Sequence, residues 1–485
     1  MSKKSEAMFN AITNIDDDLI EQAEAVKNNR LPIIKIISVA AAFAAVIAIV
    51  LFVNSWLNNK LPISQVPLSI TNDFAVSLAE YPEAAQFAKE GTSDFNKWFS
   101  EQQRKFTNEK IYVDSVTSFT KNSISVILKD DESNKLYSPI NVYLALSMLA
   151  ETTDSSTRQE ILNILSADRI ETVREYSRNL WSVNYQDDSA TKCILANSLW
   201  MNRKIKYNKE LTDSLVTYYH ASSFSGDMDS PEYSKAFQYW LNEQTDGFLS
   251  EYTEGLIFDS QTVLALASAI NYKAKWNSEF LPEKTHEGVF HSNQKDISCR
   301  YMNEEVNNIY YWGEKFSAVS KKFGNASGEM WFILPDIGVS VNELLKDEQA
   351  VDFICHSQKH KYSHKKSLIV NLSVPKFDVS SEIDLAQPLQ GLGIEGVFNQ
   401  QTADFSPLVE NSDGVYVDKM THNVRVSVDE QGCQAVAYTV MMMAGSAMPP
   451  DETIDFILDR PFIFVINGID GLPLFVGIVN SPLQG

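Results

Sequence analysis

Most of what marks an enzyme is missing from this chain. It has no Gly-x-Ser-x-Gly elbow and no phosphate-binding loop ending in Gly-Lys-Ser/Thr, so neither a hydrolase of that type nor an NTPase is supported. Cysteine is sparse: Cys193, Cys299, Cys355 and Cys433 are the only four in 485 residues. None is spaced Cys-x-x-Cys, which removes a zinc ribbon and a dithiol redox motif. A disulfide stays open if the chain is exported, but the sequence does not pair the four. Positive charge is also short, 41 Lys and Arg against 63 Asp and Glu, for a net charge of −22. That deficit excludes nucleic acid as a partner, because phosphate binding needs clustered cations; solubility accounts for the acidity. Internal repeats and low-complexity segments are absent.

Only seven histidines occur, and they form no convincing metal site. His286-Glu287-Gly288-Val289-Phe290-His291 imitates a zinc-protease motif, but a spacing of five turns the two rings to different helix faces. His356, His360 and His364 could share one helix face. Lys359, Lys361, Lys365 and Lys366 lie among them without a carboxylate, so a solvated helix end or loop is the better reading. No metal and no cofactor is expected.

What the chain does have begins with composition: 44% hydrophobic and 21% charged residues, ordinary for a globular protein. Near the N-terminus, Ile36 to Val53 is an uncharged apolar run of 18 residues, long enough to cross a bilayer. Residues 1–35 precede it and Asn54-Ser55-Trp56-Leu57 follow without a cleavage pattern, which favours an uncleaved anchor over a signal peptide. Lys27, Arg30 and Lys35 before the run outnumber Lys60 after it. The positive-inside bias therefore puts 1–35 in the cytoplasm and the large domain outside a cell membrane crossed once. Residues 54–110 read as a tether punctuated by Leu61-Pro62, Val66-Pro67 and Tyr81-Pro82, with a helix starting near Ser93 or Asp94.

Beyond the tether the order of elements is mixed. Helices are predicted over 113–180, with Ser147 to Leu165 strongly periodic, and again over 208–256. Strands are predicted at 191–202, 264–274, 329–335, 368–377, 415–430 and 461–480. Without βα alternation a doubly wound parallel sheet is disfavoured, and the class is α+β.

The most informative tract is Glu430-Gln431-Gly432-Cys433-Gln434-Ala435-Val436-Ala437-Tyr438-Thr439, running on through Met441, Met442 and Met443 to Pro449-Pro450. No charge occurs between Gln431 and Pro450. Its ends carry loop punctuation, yet with period two Cys433, Ala435, Ala437 and Thr439 make one uniformly small face. The bland reading is a core strand or an apolar linker. The sharper one is a segment that serves as a loop and as a buried strand by turns.

This tract resembles the reactive-loop hinge of the serpins, Glu-x-Gly-[Thr/Ser]-x-Ala-x-Ala-x-Thr. Other motifs follow in family order: Tyr137-Ser138-Pro139-Ile140 with Ala145-Leu146-Ser147-Met148-Leu149, Leu195-Ala196-Asn197-Ser198-Leu199-Trp200, and Lys273-Ala274-Lys275-Trp276 with Phe280. Ile333-Leu334-Pro335-Asp336, Val374-Pro375-Lys376-Phe377 and Ala403-Asp404-Phe405-Ser406 match too. So does the ending Asp459-Arg460-Pro461-Phe462-Ile463-Phe464 with Phe475-Val476-Gly477-Ile478-Val479-Asn480. The resemblance covers roughly 110–485.

It implies a serpin domain at 111–485, with about nine helices around three β-sheets and an exposed reactive loop. It implies a monomeric inhibitor, not an enzyme, that a serine protease cleaves and is trapped by. Counting the usual hinge length from Glu430 places the reactive bond at Ser446-Ala447, with Met443 and Met448 as alternatives. The small residues there suit elastase-like or subtilisin-like proteases. The absence of Arg and Lys from Gln431 to Asp459 disfavours trypsin-like ones. Ser138 and His422 match the shutter beneath the central sheet, although Ser268 stands where many relatives place an Asn for that histidine. Glu430 is expected to pair with Lys321 at the top of the sheet, the breach. Cys433 should stay unbridged, since its segment has to move. A non-inhibitory serpin used for binding or as a chaperone is the alternative, and a membrane-anchored enzyme a remote third.

Overall fold

The computed structural model describes residues 69–82, 110–129, 132–187, 191–324, 328–356, 361–410, 414–433 and 452–482. The expected anchor at 36–53, the segment 1–35 and the helix near Ser93 lie outside the described residues, as does most of the reactive loop. Among the described residues no helix is long and apolar enough to cross a membrane.

The chain opens with α1 (Ser69–Asn72), β1 (Ala75–Ser77), α2 (Val113–Ile127), β2 (Lys135–Tyr137), α3 (Pro139–Thr152), α4 (Ser155–Ile164), α5 (Ile170–Asn184), β3 (Gln186–Asp187), β4 (Thr191–Asn202) and α6 (Lys209–Tyr219). There follow β5 (Ala221–Gly226), α7 (Pro231–Gln244), α8 (Ser250–Thr253), β6 (Leu264–Lys275), β7 (His286–His291), β8 (Asp296–Trp312), β9 (Phe316–Lys322) and β10 (Glu329–Pro335). The last part holds α9 (Val341–Leu344), α10 (Glu348–Cys355), β11 (Lys365–Pro375), β12 (Phe377–Asp384), α11 (Ala386–Gly391), β13 (Thr421–Val428), β14 (Gly432–Cys433), β15 (Thr453–Ile457), β16 (Phe462–Asn467) and β17 (Pro473–Val479).

These strands form two sheets among the described residues, not the three expected. The first runs β1-β5-β4-β6-β14-β13-β12, with β3 on β4. The second runs β15-β11-β8-β9-β10-β16-β17-β2, with β7 on β8. Its continuity comes from β8, whose 17 residues pair with β7 and β11 over most of their length and with β9 at Tyr311 and Trp312. One strand that long joins what shorter strands would leave as separate sheets.

Helix α3 touches β6 of the first sheet and β17 of the second. Pro139 opens it, where a missing N–H costs nothing, and nearly every residue from Pro139 to Thr152 is buried. A helix apolar on all sides belongs in an interior, and this one is the floor of the first sheet. The predicted run from Ser147 to Leu165 is two helices. Thr152 and Thr153 turn their hydroxyls back onto Leu149 O, and Asp154 accepts the Ser155 N–H to cap α4. Such side-chain bonds compete with helix continuation.

Part of the expected tether belongs to the domain. β1 adds antiparallel to β5, with Ala75 opposite Phe224 and Ser77 opposite Ser223. The Phe74 ring lies 4.9 Å from Tyr233, which packs with Trp200 and Phe224 in a small aromatic core. Tyr81 stacks on Tyr185 at 5.8 Å. Phe74→Ala should therefore cost about 2 kcal/mol in urea unfolding, below the usual cost for a fully buried Phe because this ring is half-buried. Unchanged stability would mean that residues 69–82 rest on the domain without holding it.

Candidate functional site: the hinge and the slot below it

The first sheet is incomplete at its centre. Among the described residues no ladder joins β6 directly to β13; β14 alone bridges them, through Cys433 to Val428 on one side and through Gly432 and Cys433 to Lys275 and Ala274 on the other. Below that bridge lies a slot. Ile270, Asn271 and Tyr272 line it from β6, and Asn423 to Val426 from β13, with Thr245, Phe248, Leu249 and Phe475 closing it. Asn423 Oδ1 is buried there without a hydrogen-bond partner among the described residues.

The turn that feeds β14 is built by Asp429. Its Oδ1 accepts the N–H groups of Gln431 at 2.9 Å and Gly432 at 3.2 Å, and its own N–H donates to Gly432 O at 3.0 Å. An Asx turn of this kind reverses the chain with local bonds alone. Trp276 then fixes the turn from just past the end of β6, donating its N–H to Gln431 O and its indole Nε1 to Asp429 O, each at 3.0 Å. Gly432 is required by the close approach of the two backbones. A Cβ there would meet Ala274 O at 2.2 Å and Lys275 Cα at 2.8 Å.

Cys433 is buried, and burial pushes its thiol well above the ordinary range. It pairs with Ala274, whose side chain is also buried. Cys433, the first residue of the small face, thus enters the sheet pointing inward. All four cysteines are buried, and no disulfide joins any of them. Of the remaining hinge residues, Ala435, Ala437 and Thr439 lie outside the described residues, as do Ser446 and Ala447 and the alternatives Met443 and Met448.

The breach pairing is corrected. Glu430 Oε2 accepts from Lys376 Nζ at 2.7 Å and Oε1 from Thr285 at 3.1 Å. Burial alone would raise the Glu430 carboxyl, but Lys376, its own backbone and Thr285 together hold it below the usual value. Lys321 instead pairs with Glu304 at 2.6 Å, its ammonium 4.2 Å from the Phe280 ring centroid. Burial lowers the Lys321 ammonium against the opposing pull of Glu304. The partner was missed because the chain crosses from the second sheet to the first at Lys376, between β11 and β12. That crossing delivers a cation to Glu430, and nothing in the local pattern announces it.

The shutter residues do meet. Ser138 N–H, at the head of α3, donates to His422 Nε2 at 3.0 Å. Burial lowers His422 from 6.5 to about 3, so the ring is neutral and accepts. Ser268 accepts from Asn141 Nδ2 at 3.0 Å, so the amide that tends this region stands on α3 and not on β6. His286 and His291 sit on strand β7, His291 bonded to Asp296 at 2.8 Å. His360 lies outside the described residues, among which no group of metal-binding side chains occurs.

Because the folded pKa of His422 lies below its unfolded value, the unfolded chain binds the proton first as pH falls. The stability tied to neutral His422 is complete above about pH 6.5 and is lost progressively toward pH 3, by up to ~1.4 kcal/mol per pH unit. His422→Gln, which keeps an acceptor, should flatten the acid limb of a stability–pH curve. Parallel curves for the two proteins would show that His422 has the same pKa in the fold as in the unfolded chain.

Comparison with known proteins agrees with this geometry. A family model described as Serpin (serine protease inhibitor) matches residues 114–482. The leukocyte elastase inhibitor of Sus scrofa is 28% identical over 356 residues, 72% of this chain and 93% of that protein. The native-state crystal structure of tengpin, a thermophilic serpin, superposes with a TM-score of 0.68 at 26% identity, covering 84% of this chain and all of that one. Thyroxine-binding globulin in complex with thyroxine shares the fold, with a TM-score of 0.63 at 20% identity over 77% of this chain and 99% of that one.

Proposed function

This chain belongs to the serpin family, most of whose members are protease inhibitors rather than enzymes, and we propose that it is a suicide-substrate inhibitor cleaved at Ser446-Ala447. One observation carries this reading: Gly432 and Cys433 already occupy the top of a slot that continues below them between β6 and β13. Continuing that register, Ala435 would stand opposite Tyr272, Ala437 opposite Ile270 and Thr439 opposite Ser268, all toward the floor. Val436 and Tyr438 would face the opposite way, where bulk costs less.

The chemistry belongs to the attacking protease. Its serine Oγ adds to the Ser446 carbonyl carbon, the bond to the Ala447 nitrogen breaks, and that nitrogen leaves as an amine after taking a proton from the protease's general acid. The freed strand then fills the slot. Some 15 new backbone hydrogen bonds at roughly 1 kcal/mol each give a driving force on the order of 10 kcal/mol. Ser446, still esterified, would be carried three residues past the far end of β6. Pulling the ester out of register with the oxyanion donors slows its hydrolysis, by about 10²–10³ for one donor lost. The small residues around the bond favour elastase-like or subtilisin-like targets.

We also place the domain outside a membrane spanned by residues 36–53, on the strength of that apolar run and the basic residues before it.

Incubation with pancreatic elastase or subtilisin should give an SDS-stable adduct joined at Ser446. Ala437→Arg, which would bury a charge on the floor side, should turn the protein into a substrate cleaved without adduct, a loss of several kcal/mol of insertion energy. Clean cleavage of the unaltered protein with no adduct would instead favour a non-inhibitory role. On intact cells, added protease should digest the serpin domain and spare a tag placed before residue 36. A domain protected from digestion, or released to the medium without the anchor, would refute the membrane placement.

A further inference from the structure

The segment that opens the described domain sits at the end of the first sheet toward which an inserted loop would run. β1 lies on the outer edge of β5, and Phe74, just before it, accepts the Ser225 N–H at 2.8 Å. Ser225 stands opposite Met201 on β4, and Met201 opposite Leu264, the first residue of β6. Phe74 is therefore level with the start of β6. Helix α1, which precedes Phe74 and packs against α7, occupies that same end of the sheet. The register of Cys433 opposite Ala274, continued along β6, sets Met443 level with Leu264 and Ser446 three residues beyond it. The lateral distance follows from the strand order. A strand beside β6 has β6, β4 and β5 between it and β1, which makes four ladder spacings, or about 19 Å.

A protease of about 250 residues has a radius of gyration of about 18 Å, which for a compact sphere is a radius of about 23 Å. Esterified to Ser446, such a body reaches past the place where α1 and the start of β1 stand. Their seat is slight. β1 has three residues, and its register breaks between Ala75 and Ser77. Beyond it the Ala79 N–H donates to Ser222 Oγ at 3.1 Å, while Val76 and Leu78 are 57% and 51% exposed. A ladder of about 15 new bonds outweighs so few contacts. We propose that residues 69–79 are a capture-sensitive latch: a protease trapped at Ser446 takes their place at the end of the sheet and strips β1 from β5. This rests on the inhibitor reading above. The displacing body is the protease and not the inserted strand, so a slot filled without a protease leaves β1 seated. The domain thereby lets go of its first strand only when a protease has been caught.

Hydrogen exchange read by mass spectrometry tests this on three states of the full chain: intact, cut by thermolysin, and joined to elastase. Thermolysin attacks with a zinc-bound water and forms no acyl-enzyme, so it cuts the loop and leaves nothing attached. A raised Tm of the cut protein reports that its loop has inserted. Exchange of the amides from Ala75 to Ala79 should be alike in the intact and thermolysin-cut proteins, and about ten-fold or more faster in the elastase adduct. Ser77→Cys with Ser223→Cys, at residues opposite each other on β1 and β5, should lock the strand when oxidised. The locked protein should give about two-fold less adduct or lower still, and dithiothreitol should restore the yield. Unchanged or slower exchange in the adduct, equal release in the thermolysin-cut protein, or equal adduct yields with and without the lock would overturn the latch. If the cysteine pair does not fold, the exchange series decides by itself. Absence of any adduct would refute the inhibitor and the latch together, whereas an adduct with β1 still protected would refute the latch alone.

Discussion

Between β6 and β13 the first sheet has a two-residue bridge where two strands of 12 and 8 residues could carry a full ladder. Backbone groups at a strand edge inside a protein are costly to leave without partners, and that cost is what a further strand relieves. The surrounding structure is arranged about this deficit. Helix α3 lies under it, His422 and Ser138 meet beneath β13, and residues 245–249 cover it from outside.

The top of the slot is the most tightly specified part. Gly432 allows two backbones to approach closer than any side chain would permit, and the Asp429 turn delivers it there. Two ion pairs flank this point, Glu430 with Lys376 and Lys321 with Glu304, and Phe280 serves both. Its N–H donates to Glu430 O at 2.9 Å while its ring faces the Lys321 ammonium. Neither pair is fully solvated, so breaking one leaves a partly buried charge, which costs more than breaking a surface pair. Gly432 and Cys433 are thereby held at the top of the slot.

Much of the fold is legible in the sequence. Strand β4 was read at 191–202 and found there, because its burial is nearly continuous and its residues are strand formers. Strand β8 escaped notice. It alternates as a strand should, but Asn303, Glu304, Glu305, Asn307 and Asn308 disfavour strands, and the ladder to β11 holds them extended. Residues 69–82 were read as tether because Ala75-Val76-Ser77 is too short to signal a strand by itself. It becomes one where β5 offers an edge.

The sequence by itself determined the family, the inward face of Cys433 and the meeting of Ser138 with His422. These follow from periodicity and from motifs carried in a fixed order. Tertiary structure alone decided which cation meets Glu430, that the described strands form two sheets where three were expected, and that Asp246 lies against two lysines of β4 and β6. The reason is physical: a period of two fixes the face of a side chain, whereas a salt bridge is fixed by where chain crossings bring distant segments together. Lys376 and Glu430 are 54 residues apart, and Asp246 and Lys192 the same distance, with no local pattern linking either pair.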